Sequence, residues 1–150
     1  MGITLIASLV SVGTGLSAQS ELSLKFDRGY SMWKCAALVQ WAKSEPKMQY
    51  DLFLQGFDDL EEFATAWFDE KLTVEYLEVV PNTVKRGLPH SISPEFLMGF
   101  IWSSATNRSY LGISEQLDQP KTTEIEEAWA LQRQEAAKQF KEKNCAFLAN

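Results

Sequence analysis

The stretch Tyr50–Phe68, YDLFLQGFDDLEEFATAWF, decides the fold class of this chain. Its apolar residues recur in steps of three and four, which is the spacing of one face of an α-helix. Pro46 stands where the first turn of such a helix would begin, a position that proline favours. The pattern predicts a long helix with a buried stripe of Tyr50, Phe53, Leu54, Phe57, Leu60, Phe63, Ala64, Trp67 and Phe68. The solvent-facing side is predicted to carry Asp51, Gln55, Asp58, Asp59, Glu62 and Asp69.

The same spacing predicts three further helices. One covers Tyr30–Ala42. Another starts at Pro94 and continues towards Tyr110, because Ser93 is a favoured cap and proline favours the first helical position. The last runs from Glu124 to Lys143, since Thr123-Glu124-Ile125-Glu126 matches a capping box. Its inward residues are predicted to be Ile125, Ala128, Trp129, Ala136 and Phe140.

The segment Thr73–Gly87, between the helix at Tyr50–Phe68 and the helix that starts at Pro94, is less regular. Thr73 is predicted to cap a short helix through Val80, with a strand over Leu77–Val80 as the alternative. Asn82–Arg86 is predicted to form another helical turn, which Gly87 would close in the left-handed conformation. Taken together, these patterns predict an all-α fold, a compact bundle of four or five helices.

Gly56 and Gly99 lie inside predicted helices, where a glycine costs about 1 kcal/mol relative to alanine. One hypothesis is that the two glycines mark a close crossing of these helices, where any side chain would hold the backbones apart. The alternative is that they are exposed glycines with no packing role. On the crossing hypothesis, Gly99→Leu would cost several kcal/mol through overpacking.

The N-terminal segment indicates export. Residues 3–16 are almost wholly apolar or small, and Leu16-Ser17-Ala18 precedes polar residues, as in a signal peptide. We therefore predict a signal peptide over residues 1–18 and a single helical domain over residues 19–150. Cleavage after Ser17, or an N-terminal helix packed into the domain, are the alternatives. The protein would be periplasmic in a Gram-negative bacterium and secreted otherwise.

The two cysteines, Cys35 and Cys145, lie near opposite ends of the predicted domain. An isolated pair in an oxidising compartment usually forms one bridge, so we predict a disulfide that joins the first and last helices. Two free buried thiols are the alternative. A metal site is not expected, because two cysteines and one distant histidine are an incomplete ligand set.

The formal net charge of −6 at pH 7 restricts the class of partner. Nucleic-acid binders neutralise phosphates with a basic stripe, whereas Lys and Arg are scattered here among more numerous acids. Neither nucleic acid nor an anionic membrane surface is therefore expected, while a basic protein partner is compatible. Exposed acids would steer such a partner, and the predicted acidic face consists of Asp58, Asp59, Glu62, Asp69 and Glu70. Trp102 is the candidate apolar anchor, because Phe100 and Ile101 already supply inward positions, and packing in the core is the alternative.

The sequence offers no convincing catalytic or cofactor site. His90, the single histidine, lies in a predicted turn beside a badly placed Ser91, which does not suit a nucleophile relay. The acids around Asp58 are predicted to be a solvated helix face and not a glycosidase pair. We expect no cofactor.

The sequence therefore favours an exported, non-enzymatic binding protein, for example an inhibitor or immunity protein for a basic toxin or hydrolase. A small carboxylate-dependent hydrolase and a structural accessory of an envelope complex are the alternatives.

Overall fold

The computed structural model describes residues 13–72, 77–117 and 125–148, and it is all-helical within them. Five main helices pack together: α1 (Gly13–Ala42), α2 (Pro46–Phe68), α3 (Asn82–Gly87), α4 (Pro94–Gln116) and α5 (Ile125–Glu142). A 3₁₀ turn, Leu88–His90, follows α3, and a short helix α6 (Cys145–Leu148) follows α5. The predicted all-α bundle is confirmed.

The N-terminal signal peptide stays a prediction. Residues 1–12 lie outside the described residues, and the predicted cleavage point after Ala18 falls inside the continuous helix α1. Across the described helices, none combines the length and apolar character that a membrane span requires.

Helix α1 is the central element, because both parts of the core pack against it. Its first half carries Phe26, Tyr30 and Trp33 into a cluster with α2, α4 and the segment around α3. Its second half carries Leu38 and Val39 into a second cluster with residues of α2, α4, α5 and α6. A single 30-residue helix thus joins the two clusters into one core.

Two glycines bring α1 and α2 close together where these helices cross. A Cβ on Gly29 would lie 2.8 Å from the carbonyl oxygen of Gly56, and a Cβ on Gly56 would lie 2.8 Å from that of Gly29. The Trp33 side chain also presses on this point, since its Cδ1 would lie 2.7 Å from a Cβ on Gly56. Only glycine fits at both positions without displacing backbone.

The prediction that Gly56 and Gly99 lie at one helix crossing is therefore wrong, because Gly56 meets Gly29 of α1 instead. Nothing lies within 4 Å of a Cβ built on Gly99, whereas Gly56 meets α1 and not α4. Gly87 was expected to be left-handed, but it has right-handed helical values (φ −79°, ψ −26°). Its role is spatial, because a Cβ there would overlap the Phe100 ring.

The helix ends predicted from the sequence agree with the structure at some positions and differ at others. The Ser93 hydroxyl accepts a hydrogen bond from the Phe96 N–H at 3.2 Å, which confirms the predicted cap of α4. That helix continues beyond Tyr110 to Gln116. The short helix predicted through Val80 is not formed over residues 77–80, which make a turn. Residues 73–76 and the predicted capping box residues Thr123 and Glu124 lie outside the described part of the chain.

Helix α5 buries the face that its hydrophobic pattern predicts only in its second half, where Ala136 is buried as predicted. Ile125 and Trp129 are 65% and 56% exposed, whereas Glu135, Ala136 and Gln139 are buried. The buried amide is satisfied, because Gln139 Nε2 donates to the Gly112 carbonyl at 2.8 Å and to Glu135 Oε1 at 3.1 Å. Only the second half of α5 reaches the core, so polar residues there pack inward while apolar residues of the first half stay outside.

The Cys35–Cys145 disulfide is present and joins α1 to α6, with the two Cα atoms 5.5 Å apart. Both cysteines belong to the second core cluster. The bridge closes a loop that spans 110 positions of sequence. It thereby ties the C-terminal segment to the second half of the central helix.

The glycine crossing predicts opposite effects of one substitution at two helical sites. Gly56→Ala should lower the free energy of unfolding by about 1–3 kcal/mol, because the added methyl group overpacks the α1–α2 contact. Gly99→Ala should raise it by up to about 1 kcal/mol, since alanine favours the helix and the space is open. Urea unfolding of both variants measures the difference. Equal effects at the two sites would contradict the crossing.

The disulfide should contribute about 4–5 kcal/mol to stability, the value expected for closing a loop of roughly 110 residues. Reduction should therefore lower the urea midpoint of the native protein markedly. The variant with both Cys35→Ala and Cys145→Ala should start at the lower midpoint and not respond to reductant. Two alkylatable thiols in the non-reduced protein would rule out the bridge.

Candidate functional site

An aromatic cluster joins α1, α2 and α4. The Trp33 and Phe53 rings stack with centroids 5.2 Å apart, and the Trp33 indole N–H donates to the Phe53 carbonyl at 2.9 Å. Trp102 stands perpendicular to both rings, with its centroid 5.4 Å from that of Trp33 and 5.1 Å from that of Phe53. Edge-to-face contacts of this kind hold the rings in a fixed arrangement.

Beside this cluster lies an apolar groove between α2 and α4, with a volume of about 400 Å³. We call it the aromatic groove. Its walls are residues of α1, α2 and α4: Trp33, Phe53, Phe57, Glu61, Thr65, Pro94, Glu95, Met98, Gly99 and Trp102. The four α2 residues are four positions apart, so that wall extends for roughly 18 Å along the helix. The open space above Gly99 belongs to the groove, which explains why this glycine touches no neighbour.

The charges around the aromatic groove are acidic. Glu61 and Glu95 line it and are exposed, and no Lys or Arg is among the described residues that line it. A hydrogen bond with the Ser93 side chain, and a second with its own backbone N–H, hold the pKa of Glu95 below its usual value. Glu95 is therefore a carboxylate at neutral pH, on the first turn of α4 where the helix dipole favours negative charge.

The predicted acidic face is divided by the fold. Asp58 is exposed, but Asp59 is only 6% exposed, so its predicted place on the solvent-facing side is wrong. Its carboxylate accepts hydrogen bonds from Arg28 Nε at 2.6 Å and from Arg28 Nη2 at 2.5 Å. Glu62 pairs with Lys25 of α1. Both acids thus help to join α1 and α2, and Asp59 is not available to a partner.

The remaining predicted acids lie at the end of α2. Asp69 is exposed and pairs with Lys71, with 2.7 Å between Lys71 Nζ and Asp69 Oδ2. Glu70 is exposed and left-handed, with φ 56°. The Lys71 N–H donates to the Ala66 carbonyl at 2.9 Å, so this segment closes the helix. These residues are structural at the helix end, and Asp69 is already matched by a cation.

Trp102 lies where an anchor would be useful, half-buried in the wall of the aromatic groove. Phe53 and Phe57 were expected to be core residues, yet both are half-buried and line the same groove. Their spacing marks them as apolar positions of a helix but does not tell core from groove, because both need the same hydrophobic stripe. The groove could therefore not be found from the sequence pattern.

The single histidine and the carboxylates of the aromatic groove are all solvent-exposed. His90 is exposed in the 3₁₀ turn. In the part of the chain that the structure describes, no three His, Cys, Asp or Glu residues are placed to hold a metal ion. The carboxylates of the aromatic groove are exposed, and burial is what would raise a carboxyl pKa into the range of a general acid.

Comparison of the chain with protein-family models, curated proteins and solved structures finds no match.

Removing the Arg28–Asp59 ion pair should destabilise the protein more than removing an exposed ion pair, because Asp59 is buried. Arg28→Ala should lower the free energy of unfolding by about 2 kcal/mol, because it removes two charged hydrogen bonds from a buried carboxylate. The matched control is Lys47→Ala, which breaks the exposed Lys47–Asp51 pair of α2 and should change stability by less than about 0.5 kcal/mol. Similar losses in both variants would show that burial of Asp59 is unimportant.

Proposed function

We propose that this protein is an exported, non-enzymatic binding protein that holds a basic, amphipathic segment of a partner protein in the aromatic groove. The observation that carries the proposal is the combination of an aromatic lining with acids and no described cation in one elongated depression. Each part of that combination specifies one property of the segment.

The apolar part of the proposal rests on the half-exposed aromatic rings. Trp102, Phe53 and Phe57 present ring surface that the chain itself leaves partly uncovered. Tryptophan is enriched among the residues that dominate binding energy, especially in pockets that exclude water. The length of the α2 wall suits about three turns of an amphipathic helix laid in the groove, with apolar side chains spaced at three and four residues.

The charge part of the proposal rests on Glu61 and Glu95. They stand on opposite walls, one on α2 and one on α4, so basic residues flanking an apolar stripe would meet a carboxylate on either side. Asp58 adds a further exposed acid one turn from Glu61 on α2. Such complementarity speeds association and selects against acidic partners. From the acidic face predicted from the sequence, the proposal keeps Asp58 and adds Glu61 and Glu95.

The exported part of the proposal is supported by the disulfide. A disulfide is consistent with an oxidising compartment, where small exported proteins meet hydrolases and toxins. An inhibitor or immunity protein that masks a basic segment of such an enzyme is the specific form of the proposal. The hydrolase alternative has less support, because the pKa of Glu95 is lowered whereas a general acid needs a raised one.

The test uses a labelled helical peptide that carries leucines on one face and lysines beside them, together with a version in which glutamates replace the lysines. Fluorescence polarisation should show binding of the basic peptide, which weakens as salt rises, and much weaker binding of the acidic one. Trp102→Ala should weaken binding of the basic peptide at least about tenfold, as for a dominant interface residue.

Two further variants separate the groove from the rest of the surface. Gly99→Leu should abolish peptide binding without loss of stability, because the leucine fills the open space of the groove. Trp129→Ala removes an exposed tryptophan of α5 that does not line the groove, and it should bind as the native protein does. Equal binding of both peptides, or full binding by Gly99→Leu, would overturn the proposal.

A further inference from the structure

A second cavity, of about 560 Å³, lies between α1, α3 and α4, on a different face of α4 from the aromatic groove. Residues of three helices line it, and they include Tyr30, Lys34, Thr83, Ser104, Asn107 and Arg108. Among the described residues, no Asp or Glu lines this cavity. A cavity without acids is unexpected in a chain whose net charge is −6, so its composition needs an explanation.

Three hydroxyl groups form a short network in the cavity. The Ser104 Oγ lies 3.2 Å from the Tyr30 hydroxyl and 2.9 Å from the Thr83 Oγ1. The three residues belong to α4, α1 and α3, so the network joins the three helices that surround the cavity. A hydroxyl group can donate one hydrogen bond and accept two, which leaves capacity for a further polar ligand.

Two cations accompany the hydroxyl groups. Lys34 is half-buried, with its Nζ 5.1 Å from the centre of the Tyr30 ring, and Arg108 is exposed at the same cavity. Within residues 13–72, 77–117 and 125–148, neither forms an ion pair with a carboxylate, whereas Lys25, Arg28 and Lys138 do.

The local electrostatics disfavour the charge on Lys34. Burial lowers the pKa of Lys34, Asp27 opposes that shift, and the charges of Lys143 and Arg108 add to it. A half-buried cation beside like charges is unfavourable unless an anion compensates it. The charge of Asp27 offsets part of this cost, and Glu115, Glu135 and Glu142 line another cavity that Lys34 and Arg108 also border. A bound anion would add to this compensation on the side of the acid-free cavity.

We propose that this cavity binds a small hydroxylated anion of the acidic sugar class, a sugar that carries a carboxylate or a phosphate group. Lys34 and Arg108 would hold the anionic group, since guanidinium and ammonium groups both bind these oxyanions. Thr83, Ser104 and Asn107 would exchange hydrogen bonds with the sugar hydroxyls, and the Tyr30 and Phe100 rings supply apolar wall. The site is separate from the aromatic groove and does not depend on the function proposed for that groove.

The test is isothermal titration calorimetry on the purified, oxidised protein with four probes. Glucuronate carries a carboxylate and glucose 6-phosphate a phosphate, while glucose lacks the anion and inorganic phosphate lacks the sugar hydroxyls. We expect at least one acidic sugar to bind at least tenfold more tightly than both glucose and inorganic phosphate. No binding of either acidic sugar at millimolar concentration, or equal binding of inorganic phosphate, would overturn the proposal.

Three variants assign any binding to this cavity. Lys34→Gln and Arg108→Gln should each weaken binding of the acidic sugar at least tenfold while their melting temperatures stay close to that of the native protein. Lys141→Gln removes an exposed cation of α5 that does not line the cavity, and it should bind normally. Ser104→Ala should weaken binding of the acidic sugar but not that of inorganic phosphate. Unchanged binding in both cation variants would place the ligand elsewhere and refute the assignment.

Discussion

The close approach of α1 and α2 at Gly29 and Gly56 is the contact on which the rest of the structure depends. The two backbones are so close that a Cβ on either glycine would lie only 2.8 Å from the carbonyl oxygen of the other. That approach places Trp33 beside Phe53 and Arg28 beside Asp59, so the same crossing sets the aromatic cluster and the buried ion pair. The aromatic groove takes its shape from this cluster. A larger residue at the crossing would therefore disturb both stability and the proposed binding site.

Helix α4 connects two surfaces of opposite character. One side, with Gly99 and Trp102, faces the aromatic groove and its acids, and another, with Ser104 and Arg108, faces the polar cavity and its cations. Helix α4 therefore lacks one apolar and one polar face, because each of its two sides carries both apolar and polar residues. This segregation of charge is what makes both proposed sites, one for a basic segment and one for an anion, compatible with an acidic protein.

Much of the fold could be predicted from local sequence patterns, whereas most residues of the candidate sites could not. The Ser93 cap, the helix that starts near Pro46 and the Cys35–Cys145 pair depend on chemistry between near neighbours or on there being two cysteines, and all are confirmed. Asp59 was misplaced because a carboxylate in a polar run is normally solvated, and only the approach of Arg28 from α1 makes its burial favourable. The role of Gly29 in the α1–α2 crossing was not predicted, because close packing between helices leaves no periodic pattern in the sequence.

Hydrophobic spacing and capping residues, by themselves, determined that the chain is helical and where most helices begin, since both act within a few positions of sequence. Tertiary structure decided which parts of each apolar face are covered. In α5, Trp129 stays outside and Gln139 lies inside, because coverage depends on which neighbour reaches that part of the helix. The same reason explains why Phe53 and Phe57 line a groove with residues of α4, and why Lys34 and Arg108 line one cavity. Packing between separate helices creates both arrangements.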